Sequence, residues 1–452
     1  MSGMINQEEL VEEMAEPTAD DRPHVSPGRW TVFERFIMHN DGPSTPMVFR
    51  VLMRFNGPCE RDLLSLAYRT AAVRQPMFHA LLESTGQWRD VECCPRLNWA
   101  ESRLSEKELV ALPIQMIEIS REIGLRTTAY ADAVGILIHL DFHHACCDGQ
   151  GARQFIAEWF GIYDQLVNKE TVELSRLEFE KFTQRHLYRK IAQPVGFWEG
   201  MRNLYVTLAG KSARIPEKNA QADHRIVIER PLDTATTKAL RAKLKEQGCT
   251  INDLCLAVSM MAFQEVFPKV AKGRKITVLN PVDLRYPSDL KMPACNRLGI
   301  AFLRRKVRAR TTFCSLLASL RDEMQYVKRK YVGAEFLHGL QAVSEKDWSW
   351  RLIIDREWFT PSVQFTCLGD TTRANRYKFR EDDGSLLMGE MKLERISGIA
   401  PIARGIPISI AACETKNCIS MTFQSHTRYV TGEESLAYAK AFMDLLVKGL
   451  ES

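Results

Sequence analysis

The segment 134–151 most constrains what this chain can fold into, because it joins a strand, a loop and a helix in a short stretch. Residues 134–142 are β-rich and mostly apolar, which predicts a strand buried on at least one face. His143 and His144 then lie where this strand ends and a loop begins. Loops held between rigid elements often carry chemistry, so these histidines are the first candidate site. The helix that follows is predicted from apolar residues at helical spacing, namely Phe155, Ile156, Trp159, Phe160, Tyr163 and Leu166.

The two histidines lie beside Cys146, Cys147 and Asp148, a set of side chains with the composition of a metal site. Adjacent residues on a strand point to opposite faces, so His143 and His144 converge poorly on one ion. No C-x-x-C pair elsewhere in the sequence supplies the remaining ligands of a tetrahedral site. We therefore predict no metal here, and expect one imidazole to face a cavity while the other packs into the scaffold.

Three further motifs follow in the second half of the chain. A helix is predicted to start at Thr250, with Asp253 three residues on as the partner in a capping box. Residues 276–285 read as a buried strand that ends in Pro-Val-Asp-Leu-Arg. An N-x-x-G motif at residues 296–299 comes after a short loop.

These motifs, in this order, resemble the HHxxxDG acyltransferase superfamily. It includes the chloramphenicol acetyltransferases, the condensation domains of nonribosomal peptide synthetases, the wax ester synthases and the alcohol acetyltransferases. The first hallmark, H-H-x-x-x-D-G, is residues 143–149, and the second is P-V-D-L-R followed by N-x-x-G. Arg74-Gln75-Pro76 matches in part the R-H-P found near the start of condensation domains. The D-F-G-W-G motif of the plant acyltransferases is absent.

The resemblance implies a role for each residue of the hallmarks. His144, the second histidine, and Asp148 are expected to be the catalytic residues. The arginine of P-V-D-L-R pairs with this aspartate in relatives, which here implies Arg285 with Asp148. A bidentate guanidinium is well suited to hold such a carboxylate. His143, Gly149 and Arg285 are expected to support the site.

A further candidate site residue is Thr366, in a predicted strand at residues 362–370. Condensation-like relatives usually read S-N-L-G at this place, whereas this chain reads Thr366-Cys367-Leu368-Gly369. The hydroxyl of Thr366 is suited to donate to the oxyanion of a tetrahedral intermediate. The alternative left open is a threonine chosen for its strand propensity.

The resemblance also implies the fold, a two-domain α/β protein of chloramphenicol acetyltransferase type with a tunnel between the halves. Each half is expected to be a mixed β-sheet covered by helices. The predicted boundaries are an acidic flexible leader at 1–25, an N-terminal domain at 26–209, a linker at 210–223 and a C-terminal domain at 224–452. Since both halves lie in one chain, the site need not be shared between subunits, and a monomer is expected.

Composition bears on nucleic-acid binding, on the state of the cysteines and on membrane insertion. The formal net charge of the 452-residue chain is +5, too small to suggest nucleic-acid binding. Its twelve cysteines are scattered and include two vicinal pairs, which favours reduced thiols and a cytoplasmic location. No apolar run reaches the roughly 18 to 20 residues of a membrane span.

The basic run at 303–310 and His426 are both expected to be ordinary surface features. The most basic run, 303–310, alternates charges with apolar residues, which predicts the solvated face of a strand. The alternative left open is attraction of the phosphates of coenzyme A or of an acidic carrier protein. His426, near the end of a predicted hairpin, is expected at the surface.

The function implied is transfer of an acyl group from a thioester to the hydroxyl or amine of a small-molecule acceptor. Acyl-CoA is the expected donor and acts as a co-substrate, with no permanently bound cofactor. The alternatives are a condensation-type enzyme whose donors arrive on a carrier protein in trans, and an inactive binding protein on the same fold.

Overall fold

The computed structural model describes residues 22–23, 25–187, 212–308, 310–343, 361–370, 380–382 and 385–449. The described strands are, in chain order, β1 Val48–Asn56, β2 Ala80–Leu82, β3 Trp88–Asp90, β4 Leu97–Glu101, β5 Leu125–Ala131, β6 Gly135–His143, β7 Arg225–Pro231, β8 Ile276–Asp283, β9 Leu298–Arg305, β10 Val363–Asp370, β11 Arg380–Asp382, β12 Ser385–Met388, β13 Met391–Ile399, β14 Ile408–Glu414 and β15 Ile419–His426.

The α-helices of the same residues are α1 Val32–Asn40, α2 Arg61–Val73, α3 Glu106–Val110, α4 Gly149–Val167, α5 Phe179–Thr183, α6 Thr234–Glu246, α7 Ile251–Val266, α8 Pro268–Ala271, α9 Phe313–Lys330, α10 Val332–Val343 and α11 Gly432–Lys448. Two 3₁₀ turns, Pro76–His79 and Pro287–Lys291, complete the elements.

Two mixed sheets form the two lobes. The first has seven strands in the order β11-β12-β13-β1-β6-β5-β4, and the second has six in the order β7-β15-β14-β10-β8-β9. Each sheet has its own hydrophobic core: α2 and α4 pack on the first, and α7, α9 and α11 contribute to the second. The predicted two-lobed α/β fold is confirmed.

Local capping chemistry fixes where several of these helices start. Thr250 and Thr431 cap α7 and α11 through reciprocal capping boxes, and Asp233 caps α6 by accepting from the backbone N–H of Thr236. The Thr250 cap lies at the position predicted from the sequence. All of these caps satisfy backbone donors that a helix start otherwise leaves without partners.

The boundaries predicted for the two domains missed a crossover. Strands β11 to β13 come late in the chain, yet they complete the first sheet, where β13 pairs antiparallel with β1. Residues 391–399 therefore belong to the first lobe although the sequence placed them in the second. No local pattern distinguishes a strand that pairs within its own half from one that crosses over.

Two segments are more ordered than expected. Arg22, in the predicted flexible leader, is buried and donates to the carbonyls of Val91 and Glu92. The leader's residues 1–21 lie outside the described part of the chain. The predicted linker packs on the second lobe from residue 212 onward, since Ala213 and Ile215 are buried in its core.

The surface predictions for the basic run at 303–310 and for His426 also need correction. Strand β9 ends at Arg305, so the basic run continues beyond the strand instead of forming one of its faces. His426 is buried in β15, and its Nδ1 accepts from the backbone N–H of Arg428. Burial and the nearby Arg225 and Arg428 lower the pKa of His426 to about 4.

All twelve cysteines lie in the described residues and are free thiols. Within the same residues, no helix is both long enough and apolar enough to cross a membrane.

A buried histidine on β6 makes stability depend on pH. The side chain of His139 is buried, and its Nε2 has no hydrogen-bond partner among the described residues. Burial, helped by the nearby Arg50, lowers the pKa of His139 to about 3 from the ordinary 6.5. Below pH 6.5 the unfolded chain therefore takes up a proton that the folded chain refuses, and stability falls as the pH falls.

We expect the free energy of unfolding to drop by about 2 kcal/mol between pH 6.5 and pH 5 through His139 alone, at about 1.4 kcal/mol per pH unit. Urea unfolding at a series of pH values measures this slope. The His139→Leu variant serves as the comparison and should show a flatter dependence. Equal slopes for the two proteins would contradict the assignment to His139.

Candidate active site

The two histidines lie where β6 meets the loop that leads to α4, as predicted. The His143 side chain is fully buried, whereas His144 is partly exposed. The backbone N–H of His144 donates to the carbonyl of Met47, just before β1, over 2.7 Å. The loop is therefore anchored to the neighbouring strand at the residue expected to do the chemistry.

The hydrogen bonding of His144 defines its tautomer. Its Nδ1 lies 3.1 Å from the carbonyl oxygen of Cys147. A carbonyl can only accept, so Nδ1 carries the proton in the neutral ring and Nε2 is the acceptor nitrogen. The ring also lies edge-on to two aromatic side chains, with centroid distances of 5.1 Å to Phe49 and 6.3 Å to Phe33. These contacts fix the plane in which Nε2 is presented.

The environment of His144 favours the neutral ring. Burial lowers the pKa of His144 below its ordinary 6.5, and the opposing effect of Asp148 does not reverse this. A neutral imidazole with an available Nε2 is the form that a general base requires.

His143 is turned into the scaffold. Its Nδ1 accepts from the backbone N–H of Ala145 at 3.1 Å, and its Nε2 lies 3.3 Å from a carboxylate oxygen of Asp41. Asp41 also accepts from the backbone N–H of Met47 at 2.7 Å. His143 thus ties the end of β6 to the segment that precedes β1, which is a positioning role.

Asp148 is the N-cap of α4 and holds the two lobes together. One carboxylate oxygen accepts from the backbone N–H of Gly151 at 2.7 Å. The other accepts from the Arg285 guanidinium at 2.8 Å and from the backbone N–H of Arg297 at 2.7 Å. Arg285 also donates to the carbonyl of Cys295 at 2.8 Å. The ion pair expected between Asp148 and Arg285 is therefore present, at the junction of the lobes.

These contacts indicate a different role for Asp148 from the catalytic one expected from the sequence. Its side chain is fully buried and both of its oxygens are occupied by protein donors. Sequence reasoning placed it with the catalytic residues, but the geometry is that of a positioning residue. Burial alone would lower the pKa of Arg285, yet Asp148 and Asp283 outweigh it and raise that pKa, so the guanidinium stays charged.

Two further residues connect the two lobes near this loop and were not assigned a role from the sequence. The side-chain amide of Asn296 donates to the carbonyls of both His144 and Ala145. Gln75 donates to Glu158 of α4 at 3.0 Å and accepts from the backbone N–H of Ala294 at 2.8 Å. Asn296 lies in the N-x-x-G motif and Gln75 in the partial R-x-P motif. Membership of these motifs was the sequence signal that could have pointed to them.

Thr366 lies on the face of β10 that is turned towards the first lobe. Phe365 and Cys367 pack on the second core, whereas Leu368 packs on the first. Residues two apart on a strand share a face, so Thr366 points to the same side as Leu368. Leu368 in turn lies against Gly149, where an added Cβ would come within 2.2 Å of Leu368 Cδ2. The structure therefore brings the Thr366 face of β10 and the start of α4 to the same junction.

Comparison with known proteins agrees with this arrangement. A family model for the condensation domain matches residues 114–447, about three quarters of the chain. The chain belongs to the condensation domain family. Members of this family are acyltransferases that form amide or ester bonds. Comparison with curated protein sequences gave no significant match.

Solved condensation-domain structures share the fold over nearly the whole chain. The first condensation domain of the CDA synthetase is similar with a TM-score of 0.71 and 15% identity, covering 94% of this chain and 96% of that one. A double mutant of the starter condensation domain of rhizomide synthetase, in complex with C8-CoA and Leu-SNAC, is similar with a TM-score of 0.65 and 13% identity, covering 94% of each chain. Polyketide synthase associated protein 5 from Mycobacterium tuberculosis gives 0.62 and 17%, covering 94% and 98%.

The cysteines of the condensation-domain motif are not activated nucleophiles. Cys146 and Cys147 are fully buried, and burial raises the pKa of both thiols well above 9.0. A buried, protonated thiol attacks carbonyl groups poorly. Among the described residues, no group of three or more His, Cys, Asp or Glu side chains is placed to hold a metal ion.

Proposed function

We propose that this condensation-domain protein transfers an acyl group from a thioester, with acyl-CoA as the principal donor, to the hydroxyl or amine of a small acceptor. The observation that carries the proposal is the state of His144: partly exposed, with Nδ1–H bonded to Cys147 and Nε2 left as an acceptor. The donor class is supported by the similar starter condensation domain solved with C8-CoA.

This geometry supports a direct transfer as the reaction. The acceptor oxygen or nitrogen attacks the thioester carbonyl carbon while His144 Nε2 takes its proton. The resulting oxyanion accepts a hydrogen bond from the Thr366 hydroxyl or from backbone N–H groups. The carbonyl then re-forms, the carbon–sulfur bond breaks, and the thiolate recovers the proton from His144. No covalent acyl-enzyme is needed.

The remaining residues of the site position the base. His143, Asn296 and the Asp148–Arg285 pair hold the loop from opposite sides, so His144 has little freedom to leave its orientation. Groups held in this way act without first reorganising, which is where much of the rate gain of an enzyme arises.

A panel of donors tests the proposal. Acetyl-, octanoyl- and aminoacyl-CoA are incubated with mixed amines and alcohols, and both the released thiol and the acylated products are detected by mass spectrometry. The same acyl groups on a phosphopantetheinylated carrier form the second arm. Turnover with the carrier-bound thioesters alone would show that the donor is a carrier protein and not coenzyme A. No turnover with either kind of thioester would favour a binding protein on this fold.

The low pKa of His144 predicts a particular pH dependence. A base with its pKa below 6.5 stays unprotonated, and therefore active, down to a lower pH than an ordinary histidine. We expect kcat/KM to be flat near neutrality and to fall on the acid side with a midpoint below pH 6.5. A profile measured from pH 4.5 to 8 tests this, and a midpoint at or above 6.5 would contradict it.

A further inference from the structure

A cluster of exposed basic side chains lies at one end of the second sheet. Its members come from two segments of the chain: α8 with the loop that leads to β8, and the stretch that follows β9. We call the cluster the basic patch, and its members are Lys269, Lys272, Arg274, Lys275, Lys306, Arg308 and Arg310.

Strand pairing brings the two segments of the basic patch together. Strands β8 and β9 are antiparallel, and Ile276, the first residue of β8, is paired with Arg305, the last residue of β9. Lys275 and Lys306 therefore lie side by side, and the other cations follow in the two segments from this point. Cations that are far apart in sequence thus share one end of the sheet.

The protein itself does not neutralise these charges. Neither residues 269–275 nor residues 303–310 contain an Asp or a Glu. Within the part of the chain that the structure describes, no carboxylate forms an ion pair with a member of the basic patch, whereas the neighbouring Arg305 is paired with Glu323 at 2.7 Å. Like charges held side by side repel one another, so the basic patch favours an anionic partner.

The basic patch lies away from the residues that hold the catalytic loop. β8 begins at the patch, and Arg285, two residues beyond the other end of β8, contacts Asp148. A strand of this length, eight residues, spans about 25 Å. A carrier protein has to deliver its thioester to His144, so the far end of β8 is a poor place for it to dock.

The basic patch offers charge without the other features of a macromolecular interface. Its two segments contain no aromatic residue, and their valines, Val270 and Val307, pack on the second core. Specific protein interfaces are built around aromatic and apolar anchors. Nucleic-acid binders use an element that enters a groove or rings that stack on bases. An anionic membrane surface needs neither, because a cluster of about four to eight Lys and Arg side chains is enough to bind it.

We propose that the basic patch docks the protein on an anionic phospholipid surface. Each cation close to such a surface strengthens binding roughly fivefold, and salt screens the attraction. In this orientation, the end of β8 that leads to Arg285 is turned away from the lipid. The docking does not depend on acyl transfer, because no member of the basic patch belongs to the candidate active site.

Two variants with the same net charge test the proposal. The patch variant combines four substitutions, Lys272→Gln, Arg274→Gln, Lys306→Gln and Arg308→Gln. The control variant combines four substitutions at exposed positions elsewhere, Arg96→Gln, Arg103→Gln, Lys107→Gln and Lys238→Gln. Because all eight side chains are exposed, both variants should fold, and their melting temperatures check this.

Binding is measured by sedimentation with vesicles of equal parts phosphatidylcholine and phosphatidylserine, and with vesicles of phosphatidylcholine alone. We expect the wild type and the control variant to bind only the anionic vesicles, and more weakly as salt is added. The patch variant should bind them about a hundredfold more weakly or worse. Failure of the wild type to bind anionic vesicles, or an equal loss in the two variants, would overturn the proposal.

Two further measurements distinguish other anionic ligands. Turnover of acyl-CoA should be the same in the wild type and both variants, and a KM for acyl-CoA raised in the patch variant alone would assign the patch to the phosphates of CoA instead. Binding of a random-sequence RNA oligonucleotide without binding of anionic vesicles would assign it to nucleic acid instead. If no thioester turns over, the vesicle measurement still decides the docking, so the two failures are distinguishable.

Discussion

Replacing His144 by alanine is expected to lower kcat by about 10²- to 10⁴-fold, the usual effect of losing a general base. The fold should survive, because the ring is partly exposed and its hydrogen bond to Cys147 lies within the same loop. Acyl transfer and the melting temperature are measured on the same preparation, so that a loss of rate is not mistaken for a loss of folded protein.

His143→Ala is the matched control for this result, since the two rings are adjacent and differ in what they contact. Its loss leaves the buried Asp41 carboxylate without its imidazole partner, which should cost about 1.5 to 3 kcal/mol of stability. The rate of the folded fraction should fall less than in His144→Ala. Transfer at the wild-type rate by His144→Ala, or a well-folded but inactive His143→Ala, would reverse the assignment of the two histidines.

The second large effect is expected on stability. Asp148→Asn replaces a carboxylate oxygen with an N–H donor while Arg285 remains buried, so the guanidinium at the junction of the lobes loses its buried carboxylate partner and keeps only the contact with the more exposed Asp283 among the described carboxylates. Removing one partner of a buried ion pair typically costs about 3 to 5 kcal/mol. Urea unfolding measures the loss, and activity should fall with it because the same carboxylate holds the loop of His144.

Asp283→Asn provides the comparison within the same cluster. Asp283 also contacts Arg285, at 3.1 Å, but its side chain is 43% exposed. A pair of this kind contributes about 1 kcal/mol or less, because water screens it. If the two aspartate variants were destabilised equally, the buried bridge between the lobes would not be the source of the effect.

Much of the fold could be predicted because the relevant signals are local. Strand patterns and a capping residue identify β6, β8 and the start of α7, since each depends on a few neighbouring residues. The crossover of β13 onto β1 is different, because the partners are more than 300 residues apart in sequence. His426 was placed at the surface because its position in the chain carries no information on what covers it.

The residues of the site also divide into those that the sequence could predict and those that only the structure reveals. His144 and its neighbours form one contiguous motif, and Arg285 was paired with Asp148 through the family resemblance. Asn296 and Gln75 act on residues far away in sequence, on His144 and Ala145 in one case and on Glu158 and Ala294 in the other. Hydrogen bonds between lobes leave no periodic pattern, so only the structure reveals them.

The central claim is a direct acyl transfer that depends on His144, and one time course tests it most directly. Thiol released and acylated acceptor formed are measured together, with intact-protein mass spectrometry, for the wild type and for His144→Ala. We expect the two products to appear in equal amounts, both to be largely lost in the variant, and the protein mass to stay unchanged. Thiol release that is equally fast in the variant, or an acylated protein that accumulates before product, would contradict the account.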